Sequence, residues 1–360
     1  MWNKRFSWRC QIISFLTFIL IFFVAITVRT YGFPATLTLR KSQYRHKPSV
    51  SPLTLSLPDL TSNTSTQTQG SFIDDEPSWT VKTGLRGSFD IVVSYYNENL
   101  TDVASQLEAI KVIQQLRQYN ETRIFVYTKN ENADLVLIQD LLRANHVSLL
   151  PNRGREAGTY LSHIVQNWDD LGSHTMFIQA AMHFPGEAIK RVEQSLVPPH
   201  NDGGPSTGML TMGFIAGCQC TSCHDGWDPG QIWSRIPEIY VLLNHELCPK
   251  DIVLTYLGQM VVSRKRIWKR RIETYQYLKD MLESDLDHWI HTDGRNDGGP
   301  YDFHDTPENP FFGHTFERIW MVLWDCNDTK LLETCGNGLH SLLNPREPDD
   351  PVSSCQCLDE

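Results

Sequence analysis

The first 47 residues contain no acidic side chain. Lys4, Arg5, Arg9, Arg29, Arg40, Lys41, Arg45 and Lys47 give that stretch +8, while the other 313 residues carry 24 basic against 42 acidic side chains, or −18. A main body so short of basic residues lacks the positive footprint of a nucleic-acid binder, which excludes that class. There is no internal repeat, so repeat architectures are set aside. Disorder does not fit either, since 41% of the 360 residues are hydrophobic and the net charge is only −10. The length suits one large domain or two ordinary ones.

What the basic segment does contain is one long apolar run. Cys10 to Val28 are 19 residues without a charge, close to the roughly 20 that a helix needs to cross a bilayer. A cleaved signal peptide has a shorter core and small residues at its exit. Here the exit is Ile26-Thr-Val-Arg-Thr-Tyr31, which favours an uncleaved signal anchor at 10–28 behind a cytoplasmic tail at 1–9. Charge alone does not set the orientation, because basic residues flank both sides. N-x-Ser/Thr acceptors at Asn63, Asn99, Asn120 and Asn327, and eight of the nine cysteines, all follow the anchor. Together they predict a single-pass type II protein of the Golgi or another secretory membrane, with a lumenal body.

Residues 29–82 are predicted to form a stem. Between Ser49 and Ser71, 11 of 23 residues are Ser or Thr, too few apolar groups to offset the entropy of ordering. An O-glycosylated stem and an unmodified tether both fit that composition. Order is expected over 83–345, followed by a Cys-containing tail at 346–360. Strands are predicted at Phe89–Ser94, Arg123–Thr128, Val147–Leu150 and Thr175–Gln179, with helices at Val103–Gln118 (capped by Thr101 or Asp102), Ala133–Ala144 and from the Asn152–Tyr160 turn through Trp168. This alternation implies one α/β domain, a mostly parallel sheet flanked by helices. Ligands in such sheets bind beyond the carboxyl ends of the strands, which directs attention to Ser94–Glu98, Asn152–Glu156 and Gln179–Phe184. In the second half the pattern predicts a strand within Gly208–Ala216, a helix at Pro237–Asn244, a strand at Leu257–Ser263, a long Ser263-capped helix over Lys265–Glu283 and a last helix over Thr315–Trp324.

Four blocks resemble an uncharacterised, largely fungal family, domain of unknown function 3431. They are Ile91-Val-Val-Ser-Tyr-Tyr-Asn-Glu98, Gly154-Arg-Glu-Ala-Gly-Thr-Tyr-Leu161 with Asn167-Trp-Asp-Asp-Leu171, Gly258-Gln-Met-Val-Val-Ser-Arg264 and Gly313-His-Thr-Phe-Glu-Arg-Ile-Trp320. More widely, the strand ending Ser-Tyr-Asn-Glu and the late Glu-Arg-x-Trp look like glycosyltransferases of the GT-A type. That resemblance implies a Rossmann-like GT-A domain behind an anchor and stem, taking a nucleotide sugar and an acceptor hydroxyl on a glycan, lipid or small metabolite. It also implies a divalent cation such as Mn2+ on an Asp-x-Asp. The matching strand end here is Gln179-Ala-Ala-Met-His183, and the Asp-x-Asp of the chain is Asp285-Leu-Asp287, at the tail of a predicted helix. A metal-free enzyme, a site using His183 with an acid from elsewhere, and a domain that binds without transferring all remain open.

Sugar transfer needs a base and positive groups for the departing diphosphate. Glu317, with His314 three residues before it, is the candidate base; a structural ion pair with a nearby Arg is the competing role. Arg153 and Arg155 at a helix start suit a diphosphate. Ser94, Asn97, Glu98 and Gln179 are the other candidate donor contacts, and a glycan on Asn99 would crowd them. A third possibility is a metal enzyme built on His304, His314 and Glu317. The run Arg264-Lys-Arg-Ile-Trp-Lys-Arg-Arg271 places six positive charges in eight residues and is read as a solvated helix face. Cys218, Cys220, Cys223, Cys248, Cys326, Cys335, Cys355 and Cys357 are expected to form disulfides rather than a zinc site, with Cys355 and Cys357 stapling the tail to the body. Cys10, at the membrane edge, is a candidate for palmitoylation.

Overall fold

A computed structural model describes residues 87–200, 203–226, 231–292, 304–343 and 355–360. The predicted anchor, the stem, Cys10 and Asn63 lie outside the described residues. Among those described, no helix is long and apolar enough to cross a membrane.

The strand β1 (Phe89–Tyr95) is buried along almost its whole length, as a central strand covered on both faces must be. It pairs in parallel with β2 (Thr122–Thr128) on one side and β4 (His174–Gln179) on the other, and β3 (His146–Leu149) lies outside β2. The sheet continues past β4 with β8 (Met260–Ser263), β5 (Ser206–Thr211) and β9 (Gln356–Asp359), giving the order β3-β2-β1-β4-β8-β5-β9. The pairs β4–β8, β8–β5 and β5–β9 are antiparallel, so β8 and β9 run against the other five. A separate antiparallel ribbon joins β6 (Ile215–Gln219) to β7 (Asp251–Thr255).

Helices cover the sheet. α1 (Leu100–Lys111) packs on α2 (Leu135–Leu142) and α4 (Pro185–Ser195), while α3 (Arg155–Gln166) packs on α7 (Ile272–Leu282) and α9 (Phe311–Arg318). The remaining helices are α5 (Ile236–Asn244), α6 (Arg264–Ile267), α8 (Trp289–Thr292), α10 (Trp320–Leu323), α11 (Leu331–Thr334) and α12 (Leu339–Leu343). The first four predicted strands and the second helix stand within two residues of their observed bounds.

Elsewhere the structure corrects the sequence reading. The first helix is capped by Asn99, whose Oδ1 accepts the N–H groups of Thr101 (2.8 Å) and Asp102, and it stops at Lys111, with a 3-10 turn at Gln114–Gln118. The predicted 257–263 strand begins at Met260, because Leu257 and Gly258 take left-handed φ of 78° and 58°. Neither long late helix is continuous: Arg271 is extended between α6 and α7, and Ile319 separates α9 from α10. The basic run is a solvated face only in part, through the exposed Lys265, Lys269 and Arg271. Arg266 is buried with its Nε 2.7 Å from Asp359 Oδ1, and Arg270 donates to the carbonyls of Leu323, Leu243 and Val322. The last residues form an edge strand of the sheet, tied down by Cys326–Cys357 and Cys335–Cys355; Cys218–Cys223 and Cys220–Cys248 complete the disulfides. All eight sulfurs are taken in pairs, which removes the zinc reading.

Candidate functional site

Strands β1, β2 and β3 follow one another outward, and the chain then returns to place β4 on the opposite side of β1. Such a reversal opens a crevice at the carboxyl ends of the two central strands. A cavity of about 410 Å³ lies there, within the size range of small-molecule sites. Ser94, Tyr95, Tyr96 and Glu98 line it from the end of β1, and Gln179, Ala181 and His183 from the end of β4. Ser94 and Gln179 are register partners. Lys129 comes from the end of β2, Asn152, Arg155 and Glu156 from the turn opening α3, and Glu308 and Asn309 from a loop far along the chain.

The α3 turn is held from below. Gly154 has φ 66° and Arg155 φ 51°, a left-handed pair that only local restraint makes tolerable for arginine. That restraint is Lys129, whose buried Nζ donates to the carbonyls of both Arg153 and Arg155. Gly158 lets the lysine in: a Cβ there would sit 3.0 Å from Arg153 O and 3.3 Å from Lys129 Nζ. Burial lowers the Lys129 ammonium to about 8, against the opposing pull of Glu283 and Glu156.

Arg155 faces the cavity and donates to His314 Nε2 at 2.5 Å, with its Nε 3.5 Å from Glu156 Oε2. Burial, with Arg155 and Arg318 nearby, pushes the His314 imidazole down to about 4, so it is neutral at pH 7 and accepts from the guanidinium. Burial would raise the Glu156 carboxyl, but Arg155, its own backbone N–H, His314 and Lys129 together hold it below the ordinary range. Ser94 Oγ lies 2.9 Å from Thr159 Oγ1. The Glu98 carboxylate closes its own turn by accepting the N–H groups of Tyr96 (2.8 Å) and Asn97 (3.1 Å).

The structure brings Ser94, Glu98, Arg155, Gln179 and His183 into one cavity and leaves other candidates outside its lining. Arg153 turns to Glu283 O (2.8 Å) and to Asp285 Oδ1 (2.7 Å), so the Asp-x-Asp holds an arginine at the surface. Asn97 is exposed beside the cavity. Glu317 is largely buried behind it, its Oε1 accepting Leu257 N–H (2.6 Å) and lying 2.9 Å from Arg318 NH1. Burial, reinforced by the Glu156 charge, raises its carboxyl despite Arg318, Leu257 N–H and Arg155. Among the described residues, no three His, Cys, Asp or Glu side chains converge as a metal site requires, so His304, His314 and Glu317 form no such set and His183 has no acidic partners for one. Asn99 spends its Oδ1 on the α1 cap, Asn327 accepts Val253 N–H (2.7 Å), and Asn120 is exposed.

Sequence reasoning missed Lys129 and reached Glu156 only as the end of the Asn152–Glu156 segment. For Lys129 a signal existed, a charge directly after a buried strand that ends at the ligand-binding edge. Glu308 and Asn309 gave none.

No protein-family model and no curated protein matches the chain. Among solved structures, it is similar to the mannosyltransferase PcManGT from Pyrobaculum calidifontis in complex with GDP-Man and Mn2+, at 10% identity and a TM-score of 0.30, covering 67% of this chain and 71% of that one.

Proposed function

We propose that the protein is a glycosyltransferase that takes a nucleoside-diphosphate sugar in this cavity and passes the sugar to a hydroxyl, in a secretory lumen behind the N-terminal anchor. The observation that carries this reading is Arg155, held at the amino end of α3 and facing the cavity at the switch point of the sheet. A helix start and a guanidinium are both suited to phosphate. Burial of Lys129 beneath the same turn adds a second positive charge. The polar ends of Ser94, Gln179 and Asn309 offer partners for ribose and sugar hydroxyls. Four disulfides suit an oxidising compartment. The described residues offer no metal-binding set.

A second reading, a lumenal module that binds the donor without transfer, is favoured by the position of Glu317, which is engaged by Arg318 and absent from the cavity lining. Calorimetry of the purified full-length protein against UDP- and GDP-sugars, with and without Mn2+, tests both. Saturable donor binding with release of nucleoside diphosphate supports transfer, and binding without release supports the module. No heat with any donor removes both.

A further inference from the structure

We propose that Glu156 is the catalytic base of this site, taking the proton from the acceptor hydroxyl. The inference rests on the transferase reading above and supplies the group that Glu317 does not.

Three carboxylates line the cavity: Glu98, Glu156 and Glu308. Glu98 is committed to two backbone N–H groups of its own turn. Glu308 is exposed on the rim. Of the remaining two, Glu156 is the sheltered one, its side chain being 13% exposed. The positive groups around it keep it ionised, which presents an unprotonated carboxylate at neutral pH while lowering its basicity. Its position is fixed by the Lys129-stapled turn. Across from it, the place a Cβ of residue 258 would occupy lies 3.6 Å from Glu156 Oε1 and 3.6 Å from Gln179 Nε2. A carboxylate acceptor and an amide donor therefore flank one small space beside Gly258, and a hydroxyl there can donate to one and accept from the other.

In the step this implies, the acceptor oxygen attacks the anomeric carbon while its proton moves to a Glu156 carboxylate oxygen. The new C–O bond forms as the bond from the anomeric carbon to the diphosphate oxygen breaks. The electron pair leaves with the diphosphate, whose added charge Arg155 meets.

The test uses the full-length protein and the donor that calorimetry identifies, with water as acceptor and released nucleoside diphosphate as readout. E156Q is expected to keep donor affinity within about threefold and to lose about 10²–10⁴ in turnover, the usual weight of a general base. Formate added to E156A is expected to restore part of that turnover, which a merely structural role would not allow. Turnover of E156Q within tenfold of wild type overturns the assignment. So does a variant whose donor affinity falls while its saturated turnover holds, because Glu156 would then be a binding group. Should E156Q not fold, E156D serves, with retained affinity and reduced turnover expected and unchanged turnover decisive against. A wild-type protein that binds no donor sinks the transferase reading itself, whereas one that binds donor and releases no diphosphate sinks the base and leaves the binding reading standing.

Discussion

At the scale of single residues, the site depends on small clearances around one buried amine. Replacing Gly158 by alanine should gain about 1 kcal/mol of helix propensity. The new methyl would meet Arg153 O at 3.0 Å, and that carbonyl cannot retreat while Lys129 holds it. Overpacking of this kind costs about 1–3 kcal/mol, so G158A should be a net loss in urea unfolding; a gain would show that the turn is not pinned. Lys129 itself predicts a pH effect. With its ammonium lowered to about 8, the lysine loses its proton in the folded protein well before pH 10, and an anionic donor should bind more weakly as pH rises through 8. At pH 9 about a tenth of the sites would be protonated, so the apparent Kd should rise about tenfold if binding needs the charge. K129R, whose guanidinium stays charged, should flatten that profile. A wild-type affinity independent of pH from 7 to 9 would remove Lys129 from donor binding.

Among the elements, the edge strand β9 gives the sharpest expectation. Asp359 Oδ1 lies 2.7 Å from Arg266 Nε, with the two side chains only 4% and 9% exposed, and its other oxygen accepts from the Ser263 hydroxyl. Removing one partner of such a pair leaves a buried charge, at about 3–5 kcal/mol. D359N should therefore lower stability by that order in chemical denaturation, and a loss under 1 kcal/mol would mean that β9 is held by its disulfides alone. This pairing also explains what the sequence concealed. β1, β2 and β4 announce themselves because strands covered on both faces demand apolar runs, and their carboxyl ends, with the turn after the short, partly exposed β3, point to Ser94, Glu98, Gln179 and Arg155. Strand β9 has four residues, Gln356–Asp359, with no such run. Its place is set by partners far along the chain that no local pattern encodes. The run at 264–271 reads as one helix by propensity, yet Arg266 and Arg270 are needed at buried carbonyls, and the helix breaks to bring them there. Glu317 shows a related limit: a glutamate followed by an arginine fits a catalytic base and an ion pair equally well, and only the fold shows the carboxylate meeting Arg318 and Leu257 N–H.

For the molecule as a whole, buried neutral histidines set how far it tolerates acid. His163 sits among Phe125, Tyr127 and Phe177, its Nδ1 3.0 Å from Tyr127 OH. Burial, with Arg123 and His146 adding to it, lowers its imidazole to about 3. His174 begins β4, with Nδ1 2.8 Å from Tyr119 OH and Nε2 against Thr207 O; burial lowers it to about 4, against Thr207 O and Asp359. Both folded values lie below the unfolded value near 6.5. The unfolded chain therefore binds more protons as pH falls, and the stability these residues contribute is complete above about 6.5 and drains away below it. Each loses about 1.4 kcal/mol per pH unit in that window, so the pair should cost about 3 kcal/mol between pH 7.5 and 5.5. Asp90 and Glu317 act in the opposite direction. Burial raises both carboxyls, so they take up protons before the unfolded chain does and partly offset the loss as the pH approaches the carboxylate range. Urea titrations at pH 7.5, 6.5 and 5.5 should show the decline. Imidazole resonances of His163 and His174 should keep their neutral positions in the folded protein down to pH 5, and either one titrating near 6.5 would mean that its charge is tolerated inside the fold and that acid sensitivity arises elsewhere.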